Sequence, residues 1–136
     1  MLAEIGSQLD PTRTHFLGKV PYDAYKKILQ VSAAHVHLTY PFVLSWSMVE
    51  AMASECLIVG SATATVQELL SDGIDARITS IFDMREIRES TIACIEGSKA
   101  ECKALGRAAR QRARAYGKNL GSSCIERAAL NCNRRH

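Results

Sequence analysis

A five-residue run, Cys56-Leu-Ile-Val-Gly60, constrains the fold of this chain most. It is continuously apolar and has the length of a strand buried on both faces, as strands are in the middle of a parallel sheet. Its surroundings repeat one theme. Ala34–Tyr40 (AHVHLTY) is rich in β-branched and aromatic residues and reads as a strand. Thr14–Val20 alternates and reads as another, and Ala76–Ile81 as an edge strand. Helical patterns lie between them. One starts at Pro21 and carries Tyr22, Tyr25, Ile28 and Leu29 as its apolar stripe; the others are Ser47–Ala53, Thr65–Leu70 and Met84–Glu96. Residues 1–9 read as the tail of a helix ended by Asp10-Pro11, and Ser98–Tyr116 is purely helical. Strand and helix alternate four times, which predicts an α/β fold with about four parallel strands and crossover helices.

Composition narrows the class. With 136 residues, 47% of them hydrophobic, and a mean hydropathy of −0.05, the chain suits one packed domain and neither a disordered nor a collagen-like one. No apolar run approaches the roughly 18 residues of a membrane span. The first twenty residues hold Glu4 and Asp10 and lack the pattern of a secretory leader. Five cysteines without a CxxC pair point to reduced thiols, hence a cytoplasmic protein, with buried inert sulfurs. Charge is divided unevenly. Residues 1–98 hold 7 basic and 12 acidic side chains, whereas residues 99–136 hold 10 basic and 2 acidic ones.

Two helix starts share a pattern. Ser47-Met-Val-Glu50 and Thr65-Val-Gln-Glu68 fit the S/T-x-x-E capping box, and each follows a predicted strand. Ligands of open α/β sheets bind at such carboxyl ends, where helix N-termini present N–H groups to phosphate. The two glutamates therefore read either as caps or as ligand-facing groups. His35 and His37 share a strand face, a spacing metals use, but no third ligand is near in sequence, so ordinary strand histidines are preferred and no metal is expected. Trp46 reads equally as a stacking platform or as packing over a helix start.

Taken together, His15-Phe-Leu-Gly18-Lys-Val-Pro21-Tyr22, Tyr40-Pro-Phe-Val-Leu-Ser-Trp-Ser-Met-Val-Glu50-Ala-Met-Ala, Cys56-Leu-Ile-Val-Gly-Ser61, Thr65-Val-Gln-Glu68, Asp72-Gly73 and Phe82-Asp83 resemble, in continuous order, the C-terminal domain of family 4 (group 1) glycosyltransferases. The resemblance implies a two-domain GT-B enzyme that transfers a glycosyl group, with retention, from a nucleotide-diphosphate sugar bound by a Rossmann-like C-terminal domain, without a cofactor. It implies that Glu50 holds the nucleotide ribose, a task suited to a carboxylate because its two oxygens accept both hydrogens of a vicinal diol. Ser45, Trp46 and Ser47 would form the loop over the donor, and Thr63, Thr65 and Glu68 would lie at the next strand end. Residues 1–97 would then be part of the donor-binding domain and residues 98–136 a basic helical extension.

The sequence departs from the family pattern at five positions. Phe42 stands where the first glutamate of the family's pair belongs, Glu55 where a helix-ending glycine is usual, Ala62 and Thr65 where relatives carry Asp and Pro, and Ala76 where a turn glycine is expected. The helix-to-strand turn often needs glycine's left-handed conformation, so Glu55 departs there from what the turn usually requires. No Lys or Arg occurs between residues 40 and 76 to meet a diphosphate. Two upstream strands and an acceptor domain are also expected of the family, so the chain reads as a truncated unit, inactive alone, that needs its N-terminal domain or another polypeptide. Thr14–Val20 would then face a two-strand gap.

Lys99, Lys103, Arg107, Arg110, Arg114 and Lys118 recur at helical spacing and predict one basic helix face. A solvated face is the plain reading. The rival is a non-catalytic module binding an anionic partner, a membrane surface weakly and nucleic acid less readily, because few aromatics interleave.

Overall fold

A computed structural model describes residues 9–40 and 44–120. The helix tail expected over residues 1–9 and the family position occupied by Phe42 fall essentially outside them. Three parallel strands, β1 (His35–His37), β2 (Ile58–Ser61) and β3 (Arg77–Thr79), lie in sequence order with β2 in the middle. Val59 is level with Val36 on one side and with Arg77 on the other. Five helices accompany them: α1 (Tyr22–Val31), α2 (Trp46–Ala53), α3 (Ala64–Gln67), α4 (Met84–Glu96) and α5 (Lys99–Leu120). The architecture is the expected one, α/β with a partial Rossmann-like parallel sheet and a C-terminal helix.

β2 is buried along its whole length because its alternate side chains feed two cores. Ile58 joins Leu29, Met48, Met52, Val66 and Leu70 on one face. Leu57 and Val59 join Cys94 and Leu105 on the other. α5 belongs to both layers, since Leu105 enters the second core while Ala109 and Ala113 enter the first. Small residues there let α5 lie close against α2. A Cβ on Gly106 would stand 2.5 Å from the Glu55 carbonyl oxygen.

Charge fastens the same helix. Arg110 pairs with Glu55 at 2.5 Å, Arg112 with the buried Asp75 at 2.8 Å, and Arg77 of β3 with Glu101 at 2.6 Å. Asp75 also takes the Ser71 amide at 2.6 Å, which fixes the turn before β3. The solvated basic face is thereby corrected at one position. Arg110, at 7% side-chain exposure, is an internal partner of Glu55, whereas Lys99, Lys103, Arg107 and Arg114 are exposed. The Lys118 side chain lies outside the described residues. Glu55, at the position where the family usually has glycine, takes the left-handed conformation all the same, with φ +60.

Two local expectations fail for identifiable reasons. Thr14–Val20 is not a strand. Gly18 turns the chain at φ +60, Phe16 and Leu17 are exposed, and β1 pairs only with β2 among the described residues. A strand without a neighbour has no ladder to stabilise it. Neither S/T-x-x-E pattern caps a helix. α2 begins one residue earlier, with Ser45 at the N-cap, and α3 begins after Thr63, leaving Glu68 at its C-terminal end. An acidic cap forms instead at Asp83, whose carboxylate accepts the Arg85 and Glu86 amides, each at 3.0 Å. Glu86 accepts the Ser80 amide in turn at 2.9 Å. α4 accordingly has the bounds that its periodicity predicts.

The described cysteines Cys56, Cys94 and Cys102 are free thiols. Burial pushes the Cys56 thiol up to about 11, which leaves it an inert core sulfur at neutral pH. Among the described residues no helix is long and apolar enough to cross a membrane.

Candidate functional site

The carboxyl ends of all three strands open on one edge of the sheet, and the segments leaving them carry the candidate residues. β1 is pinned there by Ser61 at the end of β2. The Ser61 hydroxyl accepts the Thr39 amide at 3.1 Å and donates to the Thr39 carbonyl at 3.0 Å. Beyond Thr39 the chain leads to Ser45 and into α2. Ser45 and Ser47 share a 2.8 Å hydrogen bond between their hydroxyls, so neither side chain is spent on capping by a backbone amide. Trp46, between them, is 56% exposed, which leaves most of its indole in solvent.

Glu50 lies one turn into α2, on the face shared by Ser47 at i−3. Because it does not cap the helix, its carboxylate is available to side chains from elsewhere. Tyr22, the first residue of α1, donates its hydroxyl to Glu50 Oε1 at 2.8 Å. Lys26 stands 4.9 Å over the Tyr22 ring and pairs with Asp23 at 3.0 Å, bringing a cation to a corner whose own loops lack one. Tyr25 follows Tyr22 by one turn. Its phenol is pushed above the ordinary tyrosine value, first by burial and then by the Glu50 carboxylate beside it.

At the next strand end the Thr63 and Thr65 hydroxyls approach to 3.5 Å, with Thr63 buried and Thr65 half-buried. Glu68 is exposed at the end of α3. The candidates thus fall into two groups, one of Ser45, Ser47 and Glu50 with the two tyrosines, the other of Thr63 and Thr65. Trp46 and Glu68 stand exposed beside them.

The tyrosines are what sequence reasoning missed, since Tyr22 and Tyr25 read there as part of an apolar stripe. The available signal was chemical: a stripe built from tyrosine rather than leucine or phenylalanine carries hydroxyls that need partners. His35 and His37 stack at 5.9 Å with rings 17° apart on β1. Among the described residues no three His, Cys, Asp or Glu side chains gather as metal ligands would.

The candidate residues therefore gather at the carboxyl edge of a parallel α/β sheet, the edge where open sheets of this kind bind their ligands. The chain matches a family described as glycosyl transferase-like over residues 4–118, and it belongs to that family as a group 1 glycosyltransferase-type domain. Glycosyl transfer is therefore its general reaction class, with a sugar donor as the general substrate. No curated protein and no solved structure matches it significantly.

Proposed function

We propose that this chain supplies donor-binding machinery of a GT-B glycosyltransferase and takes a nucleotide-diphosphate sugar, with Glu50 accepting the ribose hydroxyls. The observation that carries the reading is the position of Glu50. It stands in the family-matching motif, it is released from the capping role its sequence offered, and its carboxylate faces the side chains of α1. Three of its roughly four lone-pair sites remain after the Tyr22 bond, enough for both hydrogens of a diol. Ser45, Trp46 and Ser47 form the loop over the donor, and Thr63, Thr65 and Glu68 line the adjacent strand end. Residues 1–97 form the binding unit and residues 98–136 the basic extension. No metal or cofactor enters this reading, and the free thiols fit a cytoplasmic protein.

Expelling a nucleotide diphosphate requires cations aimed at the developing charge. The segment from residue 40 to 76 has none, and Arg77 is engaged with Glu101. Catalysis is thus assigned to an assembly in which another domain or polypeptide supplies them. Calorimetric titration of the chain with uridine, guanosine and adenosine diphosphates tests the reading. One of them binds, Glu50→Ala weakens it about tenfold or more, as loss of hydrogen bonds to a charged group requires, and the chain alone leaves the matching nucleotide sugar intact. Absence of binding to all three, or unaltered binding by the variant, overturns it.

The exposed cations Lys99, Lys103, Arg107 and Arg114 favour a second reading, weak contact with an anionic membrane, nucleic acid being the poorer partner. Cosedimentation with phosphatidylserine vesicles that fades with salt supports it; equal sedimentation with neutral vesicles rejects it.

A further inference from the structure

The two tyrosines of α1 flank the Glu50 carboxylate differently. Their ring centroids are 6.3 Å apart and the rings are tilted by 35°. Tyr22 is 48% exposed and already donates to Oε1. Its ring is braced by Lys26, which is itself held by Asp23. Tyr25 lies deeper. Its hydroxyl is buried and makes no hydrogen bond among the described residues, although Glu50 and Ser47 are its polar neighbours. A buried phenol without a partner is rare in a folded protein and requires an explanation.

We propose that Tyr22 and Tyr25 are positioning residues that hold Glu50 for a ribose diol, Tyr25 supplying its hydrogen bond in the ligand-bound state. The proposal rests on the donor reading above. A glutamate side chain gives up rotamer freedom when it grips a ligand, and a carboxylate already held by the Tyr22 phenol has less to lose. Tyr22 occupies one site on Oε1 from the solvent side. With the diol bound, the same carboxylate accepts from the buried Tyr25 phenol as well, so the bond missing from the unliganded protein forms only with ligand present. Tyr25 thus charges the resting state with an unsatisfied hydroxyl and releases that cost on binding, which favours ligands that pull Glu50 into place.

Affinities for ribonucleoside diphosphates and their 2′-deoxy forms, measured on the full chain and on Tyr22→Phe, Tyr25→Phe and Glu50→Gln, test this. The wild-type chain prefers the ribose form, and each phenylalanine variant lowers that preference about three- to tenfold, the worth of one net hydrogen bond, while binding the deoxy form as before. Tyr25→Phe also keeps or raises the thermal midpoint, because it deletes a hydroxyl that has no partner without ligand. A purely structural pair weakens both ligands alike and leaves the ratio unchanged, which overturns the proposal. Preference lost in Glu50→Gln but intact in both phenylalanine variants overturns it while the donor reading stands. A wild-type chain that binds no nucleoside diphosphate overturns both.

Discussion

Glu55 and Arg110 join the C-terminal turn of α2 to the middle of α5 through a 2.5 Å ion pair, with Glu55 in left-handed backbone. The pairing is a compensation. Left-handed backbone costs a non-glycine residue about 1–2 kcal/mol, and the charge that Glu55 brings is what Arg110 needs in a site only 7% exposed. Removing Arg110 leaves a carboxylate that still reaches water at 29% exposure, so the full penalty for breaking a buried pair does not apply. Arg110→Ala is expected to lower stability by about 2–3 kcal/mol. Glu55→Gly gains roughly 1 kcal/mol in the backbone but loses more in the pair. The double variant Glu55→Gly with Arg110→Ala should therefore recover about 1 kcal/mol or more relative to the sum of the single changes. Urea denaturation of the four proteins checks this, and strict additivity rejects the coupling.

Gly106 offers a prediction of opposite sign to the general rule. In an open helix Gly→Ala stabilises by about 0.8–1 kcal/mol. Here the added Cβ meets the Glu55 carbonyl oxygen at 2.5 Å and its carbon at 3.3 Å, both backbone atoms that cannot rotate aside. α5 has to retreat from α2, and the core that its Ala109 and Ala113 share with Met48 and Met52 of α2 loosens. Gly106→Ala is expected to destabilise by about 1–3 kcal/mol, as overpacking does. A denaturation midpoint that rises would show that the two helices are not pressed together at this point.

Most of the fold was legible because its evidence is local. The buried β2 run and the bounds of α4 follow from residue patterns within a few positions. What escaped depends on distant partners. Thr14–Val20 has a strand's pattern but no strand beside it in the described sheet, and Arg110 has the spacing of a solvent-facing cation but meets Glu55, far away in sequence. The capping boxes failed for a smaller reason: the loop after β1 enters α2 one residue before the motif, which shifts Ser47 and Glu50 into the helix interior. Of the candidate group around α2, Ser45, Ser47 and Glu50 were legible through the resemblance. Tyr22 and Tyr25 became visible once α1 was packed against α2, which joins the Tyr22 hydroxyl to Glu50 and buries the Tyr25 hydroxyl nearby.

His35 and His37 make stability depend on pH. Burial pushes both imidazoles below the usual value of 6.5, and His37 adds to the effect on His35. Their Nε2 atoms are buried without a hydrogen bond among the described residues. Neutral in the folded chain, they bind protons more readily once it unfolds. Their contribution is complete above about pH 6.5, the unfolded value, and is lost as pH falls through the lowered folded values. Asp10 and Asp23, whose carboxyls are held below 3.8, act in a more acidic range and do not blur this window. Urea midpoints should fall between pH 7 and pH 5, and the double variant His35→Gln, His37→Gln should flatten that fall. An equal fall in the variant assigns it to other groups.

Ser61 should control the end of β1 more than the stability of the whole chain. Its hydroxyl is the double link between β2 and Thr39, accepting the amide and donating to the carbonyl, and the residue is fully buried. β1 is only three residues long, so few other ladder bonds hold the point where the chain departs toward Ser45 and α2. Ser61→Ala leaves both Thr39 backbone groups without that partner, at a cost of about 1–3 kcal/mol if the site stays closed. Local opening relieves the cost by admitting water, so the change should appear first as local opening. Hydrogen exchange at the Thr39 amide is expected to accelerate about tenfold or more, the equivalent of roughly 1.4 kcal/mol, while the amides of α4 keep their protection. Ser61→Thr, which retains a hydroxyl, should exchange more slowly at Thr39 than Ser61→Ala. An unchanged Thr39 rate in the alanine variant would mean that the strand end is held by something other than this hydroxyl.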